Sequence, residues 1–390
     1  MQENPFVLFC AGEDSGDILG ESLVRYVASR GLSVRGIGGP RMQLAGLEPI
    51  ADYETLPVSG FFDVLPRVHR LNKILQKLKA LLECESCVAL VCVDYPGFNM
   101  KLAPLAARLK KPVLCVAPPQ VWAWKKNRAR RLRNVRLAVL FDFERRVYES
   151  HGLNAVLLEH PFRRAACDLC LERSLSHMSG QNPAKSSRVL LLPGSRLSQA
   201  LRNVPFFHAV ASRLHEENPE YSFVVVASRP EIKAKLEAAF SEKGRLPGWL
   251  SVKEVPQQAE SRIEFYSRFP VALCIPGSAT FELALSGVSP VVTDVVDPLT
   301  YFMCKHFVKT RYFALPNVLL SRNAVPEIYF TGRESKRPMN AKKIASLLQQ
   351  SIAHPVQSLA KDLDAVFVSA KTPEELMAEF LREFFERDAH

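Results

Sequence analysis

At 390 residues the chain is too long for one compact core, so two domains are the default. Its 47% hydrophobic and 23% charged residues exclude a disordered chain, and no apolar run reaches the roughly 18 residues that cross a bilayer. A net charge of +11 favours an anionic partner, whether nucleic acid, acidic lipid or a phosphorylated substrate, without choosing among them.

Met1-Gln-Glu-Asn-Pro5 carries an acid and no basic segment, unlike a signal peptide. It runs into the apolar stretch Phe6–Cys10, which reads as a buried first strand. The loop Ala11-Gly-Glu-Asp-Ser-Gly-Asp17 follows, then a helix with Ile18, Leu19, Leu23, Val24 and Val27 on one face, stopped at Gly31. Two glycines let a ligand approach the backbone there, while three acids disfavour a dinucleotide pyrophosphate. A capped turn with Ser15 or Asp17 as cap explains the loop as well.

Arg67–Leu82 reads as a basic amphipathic helix, with Val68, Leu71, Ile74, Leu75 and Leu78 on one face and Arg67, Arg70 and Lys73 among its cations. Gly60-Phe61-Phe62 precedes it, so two readings stand: a core helix with a solvated face, or a segment dipping into an anionic leaflet. The strand Val88–Val93 then delivers Asp94-Tyr-Pro-Gly-Phe-Asn99. A carboxylate at a strand end accepts a proton from a substrate hydroxyl, or merely shapes the turn; Asn99 orients a sugar or caps the next helix.

After the strand Val113–Val116 come Trp122 and Trp124, followed by the cation run 125–133. That pairing suits an acyl or sugar group beside a phosphate, and also a solvated basic helix with buried aromatics. Leu137–Leu140 is another strand. The alternation breaks between Arg163 and Ser187, where Ser179-Gly-Gln-Asn-Pro183 signals a loop. Strands resume at Val189–Leu192, Phe223–Ala227, Val271–Ile275 and Pro290–Thr293, and a last helix begins after Thr372-Pro-Glu-Glu.

Alternating strands and helices imply two Rossmann-like, doubly wound parallel-sheet α/β domains facing across a cleft. The boundaries expected are 1–165, a linker over 166–187, 188–370, and a C-terminal helix over 371–390 that packs back on the first domain. Ligands bind beyond the carboxyl ends of such strands. Two turns there suit phosphate: Leu192-Pro-Gly194-Ser195-Arg196, and Pro276-Gly277-Ser278-Ala279-Thr-Phe-Glu282, whose acid suits a ribose diol. Paired in one half, they make a nucleoside diphosphate the leading ligand. Nine cysteines indicate a reducing compartment; Cys84/Cys87 and Cys167/Cys170 have CxxC spacing but lie far apart without glycine knuckles, so zinc is disfavoured.

In order, the segments AGEDSGD (11–17), GIGGPRM (36–42), DYPGFN (94–99), VWAW (121–124), HP (160–161), LPGSR (192–196), GSATFE (277–282), VKTRYFALPN (308–317) and VPE (325–327) resemble the lipid-A-disaccharide synthases, inverting glycosyltransferases of the GT-B fold. The resemblance implies transfer from UDP-2,3-diacylglucosamine to 2,3-diacylglucosamine 1-phosphate, giving a β-1,6 disaccharide 1-phosphate and UDP, with no metal or other cofactor. It places the acceptor in the N-terminal half, near Ser15, Asp17, Asn99, Trp122 and Trp124, with Asp94 as general base. It places UDP on Gly194, Ser195, Arg196, Gly277, Ser278, Ala279, Glu282 and Asn317, Arg196 also neutralising the leaving group. It implies a cytoplasmic protein held peripherally at the anionic inner face of the inner membrane, through Phe61, Phe62, Arg67, Arg70 and Lys73. No nucleic-acid partner is implied, and the oligomeric state stays open.

The chain departs from the family pattern at Gly97, Glu159, Gln199, Pro276 and around 293–297. Competing readings are another UDP-sugar enzyme, such as a UDP-N-acetylglucosamine 2-epimerase, and a basic scaffold for nucleic acid or membrane. The paired phosphate turns argue against a scaffold.

Overall fold

The computed structural model describes residues 4–53, 68–119, 132–176, 187–242, 244–296, 312–355, 358–367 and 369–387. The fold divides into two compact units, one drawn from 1–161 and 367–390, the other from 162–366.

Unit 1 is built on a seven-stranded sheet of β1 (Phe6–Cys10), β2 (Ser33–Ile37), β3 (Leu47–Pro49), β4 (Cys87–Val93), β5 (Val113–Val116), β6 (Arg136–Val139) and β7 (Ala155–Leu157). All pairs are parallel and the order is β3-β2-β1-β4-β5-β6-β7. The central strands are buried on both faces, as helix crossovers require; β1 has no exposed residue. Strand order reverses between β1 and β4, which opens a crevice at their carboxyl ends.

The C-terminal helix Pro373–Arg387 belongs to this unit and packs on the first helix, Asp14–Ser29. It buries Leu376, Met377, Phe380 and Leu381 in the cluster that holds Val7, Phe9 and Val91. Lys371 extends the sheet beyond β7, its N–H donating to Leu157 O and its carbonyl accepting from Glu159 N, both at 2.8 Å.

Unit 2 has a six-stranded parallel sheet of β8 (Arg188–Leu192), β9 (Ser222–Ala227), β10 (Leu250–Glu254), β11 (Val271–Cys274), β12 (Ser289–Val296) and β13 (Glu327–Thr331), ordered β10-β9-β8-β11-β12-β13. The reversal here lies between β8 and β11. The 21-residue helix Leu197–Glu217 and the helix Pro338–Ala353 pack together and share one core with the sheet.

One boundary expectation is corrected. The linker placed over 166–187 begins inside the helix Pro161–Ser176. Pro161 starts that helix and Phe162, Ala165 and Ala166 are buried, an apolar stripe that the neighbouring arginines and acids hide in a composition reading.

Candidate active site

In unit 1, the loops after β1 and β4 leave adjacent strands at the order reversal. Asp94 and Tyr95 follow β4 with φ of 49° and 48°, left-handed backbone that side chains other than glycine rarely take. Each such residue costs about 1–2 kcal/mol, which neighbouring contacts must offset. Those contacts are visible. Tyr95 is buried and stacks on Phe98 with ring centroids 4.9 Å apart. Its ring also lies flat on Gly12, where a Cβ would come within 2.5 Å of it. Asp94 N donates to Val116 O at 2.9 Å, tying the turn to β5.

The strained turn presents the Asp94 carboxylate to the Ser15 hydroxyl, which donates to Oδ2 at 2.9 Å. Both residues keep solvent access, so a carboxylate held by one donor stands at the sheet's carboxyl edge. Glu13, which the sequence reading passed over, occupies the N-cap position of the first helix without bonding it. Its charge and, more strongly, burial push the Tyr95 phenol pKa well above its ordinary value. The signal available was an acid at a cap position already supplied with Ser15 and Asp17.

Two residues expected on the acceptor side are buried and bonded to backbone. Asp17 is 5% exposed, and its carboxylate accepts from Arg41 N at 3.1 Å and Met42 N at 3.0 Å. It thereby caps the short helix Pro40–Leu44 from another element, and burial raises its pKa against those bonds. Asn99 is 3% exposed and donates to Cys10 O at 3.2 Å and Asp94 O at 2.5 Å, pinning the two loops together. Trp122 and Trp124 lie outside the described residues.

In unit 2, Leu192 and Cys274 pair across β8 and β11, so the two phosphate turns leave neighbouring strands. Gly194 has φ of 140°, and a Cβ there would approach Ile275 Cδ1 at 3.1 Å. Gly277 has φ of 155° and open space where a Cβ would stand. Ser195, Arg196 and Ser278 are exposed, Arg196 at the N-cap of the 197–217 helix and Gly277 at that of the helix Ser278–Leu285. Ala279 lies in the first turn. Unpaired N–H groups at such ends attract anions.

A buried network beneath these turns was not anticipated. Asn203 is fully buried; its amide donates to Pro193 O (3.3 Å), Gln199 O (3.1 Å) and Asp294 Oδ1 (2.8 Å), while its oxygen accepts from Val295 N (2.8 Å). Gln199 reaches Asp294 Oδ2 at 3.5 Å. Gln199 and the Asp294–Val295 part of the second departure are thus linked through Asn203, which sequence distance concealed.

Glu282 is 8% exposed, and both its oxygens accept from Arg262 Nη1, at 3.2 and 3.1 Å. Arg262 is itself fixed by Pro256 O at 2.9 Å. Asn317 is fully buried and exchanges two bonds with the Val325 backbone, at 2.9 and 2.8 Å, so it ties the segment before β13 to the helix that carries it. Glu327, at the start of β13, accepts from Ala314 N at 2.8 Å, at the N-terminus of the preceding helix Leu315–Leu320.

Phe61, Phe62 and Arg67 lie outside the described residues. In the helix Val68–Glu83, Ile74, Leu75, Leu78 and Leu82 are buried and Arg70 and Lys73 exposed, so the apolar face goes to the core. Among the described residues no helix is long and apolar enough to cross a membrane.

Two doubly wound parallel sheets, each with a strand-order reversal that opens a crevice at the carboxyl ends, define a GT-B α/β protein. Solved structures of that build include UDP-GlcNAc 2-epimerase from Neisseria meningitidis bound to UDP-GlcNAc (TM-score 0.60, 11% identity, 98% of this chain and 100% of that one). The calicheamicin glycosyltransferase CalG4 gives a TM-score of 0.57 at 14% identity, with full coverage of both chains. At such identities they show the fold alone. A family model described as lipid-A-disaccharide synthetase matches residues 7–379. A lipid-A-disaccharide synthase of Anaeromyxobacter dehalogenans is 32% identical over 359 residues, 91% of each chain. That of Nitrosococcus oceani is 32% identical over 330 residues, 83% of this chain and 82% of its own. The chain belongs to the lipid-A-disaccharide synthase family, and is a hexosyltransferase that uses a nucleotide-sugar donor and a sugar acceptor.

Proposed function

We propose that the chain transfers 2,3-diacylglucosamine from its UDP derivative to the 6-hydroxyl of 2,3-diacylglucosamine 1-phosphate, at the cytoplasmic face of the inner membrane. The observation that carries the proposal is Asp94, held in a strained turn at the carboxyl end of β4 and oriented by Ser15.

In this reading Asp94 takes the proton of the acceptor hydroxyl as that oxygen forms its bond to the anomeric carbon. The bond from that carbon to the diphosphate breaks on the opposite face, and UDP leaves with the electron pair, inverting the centre. Arg196 and the N–H groups at 194–196 and 277–279 receive the diphosphate charge. Glu282 binds the ribose diol. A carboxylate has about four lone-pair positions, so the bonds from Arg262 orient it and leave capacity for hydroxyl donors. Arg70 and Lys73 face the anionic leaflet electrostatically, since the apolar side chains of their helix are buried.

The test is incubation of the enzyme with both acylated substrates and identification of the disaccharide phosphate by mass. A parallel incubation with UDP-GlcNAc alone addresses the epimerase alternative. Disaccharide formation supports the reading; epimerised or hydrolysed UDP-GlcNAc without any disaccharide overturns it.

A further inference from the structure

Five large hydrophobic side chains are exposed among the described residues, and three of them fall on one edge of unit 2: Leu197 at 38%, Leu201 at 40% and Met339 at 74%. Leu197, Leu201 and Pro205 form an i, i+4 row on the 197–217 helix. Pro205 and Pro338, the neighbour of Met339, both line a groove of about 570 Å³ between that helix and the 338–353 helix. The groove also meets Val295 of β12 and Gly332 just beyond β13, so one end of it lies by the carboxyl edge of the sheet, while its lining runs along the 197–217 helix to Glu216.

Its charge is one-sided. Arg202, Arg213, Lys336 and Arg337 line it against a single acid, Glu216. Arg213 has a partner in Glu217 at 2.6 Å, and Arg202 lies 3.9 Å from Asp294; Lys336 and Arg337 are exposed at the rim.

We infer that this edge of unit 2 docks on an anionic lipid surface, with Leu201 and Met339 entering the interface and the groove cations meeting lipid phosphates. Cations interleaved with exposed aliphatic side chains match the two layers of such a surface, charged headgroup over acyl chain. A free phosphate would gain nothing from Met339 or Leu201. A second copy of the chain, packed isologously, would set the same cations against one another. The inference rests on the proposed function only for its purpose, namely access to acylated substrates; the lipid affinity itself is read without substrate.

The experiment compares the full chain with the triple variant Leu201→Asp, Lys336→Glu, Met339→Asp, all three positions exposed and outside the turns assigned to UDP. Thermal unfolding establishes that the variant is folded. Partition is measured by cosedimentation with phosphatidylcholine vesicles, with and without phosphatidylglycerol. The wild-type chain binds the anionic vesicles, and the variant binds them on the order of tenfold or more weakly. An Arg70→Ala, Lys73→Ala chain serves as the unit 1 comparison, and the weakening by the triple variant persists in that background.

A folded triple variant that partitions like wild type overturns the inference. So does one whose vesicle binding per chain is unchanged while its mass falls from oligomer to monomer, which would make the edge an interface between copies. Disaccharide synthesis in detergent micelles is read separately. A wild-type chain that makes no disaccharide yet binds vesicles through this edge sinks the proposed reaction and leaves the docking surface standing.

Discussion

In the proposed reaction Asp94 owes its role to where its backbone is forced, and the same residue shows what a sequence can reveal. Its position after an apolar run was readable; the φ of 49° was not, since tertiary contacts hold it, among them the bond to Val116 O and the packing of Tyr95 on Gly12 and Phe98. Asp94→Asn keeps the shape and removes the base, so kcat should fall about 10²- to 10⁴-fold with UDP affinity almost unchanged. Near-full turnover in steady-state kinetics would remove Asp94 from that role. Asn203 acts at the opposite level, through the turn it holds. Asn203→Ala deletes the bonds to Pro193 O and Asp294 and leaves a buried carboxylate short of a donor. A loss of about 2–4 kcal/mol is expected in denaturant unfolding, with a raised donor KM in whatever fraction folds. Three polar residues in the recognised segments, Asp17, Asn99 and Asn317, are buried and bonded to backbone that holds the loops in place. A motif read from the chain alone carries neither the burial nor the partners of its residues.

At the scale of elements, the eight strands expected compare with thirteen among the described residues, and four of the five others share a physical cause. Four of them, β3, β7, β10 and β13, are the sheet edges, and β2 adjoins one. An edge strand has neighbours on one side only, so it is part-exposed and lacks the continuous apolar run that marks a strand covered on both faces. β3 reads Leu-Glu-Pro with one buried residue, and β10 reads Leu-Ser-Val-Lys-Glu with two. β2 is interrupted by Gly36, needed because a Cβ there would meet Phe9 O at 1.9 Å. The C-terminal helix, by contrast, was legible, and its packing makes it indispensable to a unit whose first strand lies some 360 residues earlier. Leu376, Met377, Phe380 and Leu381 are each at most 5% exposed. At about 1.5–3 kcal/mol per buried side chain, their removal costs on the order of the whole stability of a domain. Truncation after Lys371 should therefore leave unit 1 unfolded, read as lost protection of β1 and β4 amides in hydrogen exchange. Native-like protection there would show that the helix is only an ornament on the sheet.

For the whole molecule, acid stability joins a local device to the net charge. His160 is packed beside the Phe141 ring, 6.1 Å between centroids, and burial lowers its pKa to about 4 from an ordinary value near 6.5. The unfolded chain therefore takes up a proton as pH falls through 6.5 while the folded chain stays neutral until about 4. Stability present above 6.5 is lost across that window, by about 1–3 kcal/mol once both limits are passed. Asp17 works the other way: its folded pKa is raised, so its contribution is held at low pH and lost as pH rises. A third effect is global, since a chain already at +11 gains further positive charge on acidification and repels itself. Salt distinguishes them. Repulsion among exposed charges is screened within a Debye length of about 10 Å at 0.1 M, whereas the desolvation cost of charging the part-buried His160 imidazole is screened far less. Denaturant unfolding at pH 7 and pH 4.5 should show an acid loss that added salt only partly restores. His160→Gln should abolish the portion that salt leaves behind, because glutamine keeps a polar side chain without a titrating proton. If the variant loses stability between those pH values as steeply as wild type in high salt, the acid sensitivity belongs to the molecule's charge as a whole and not to His160.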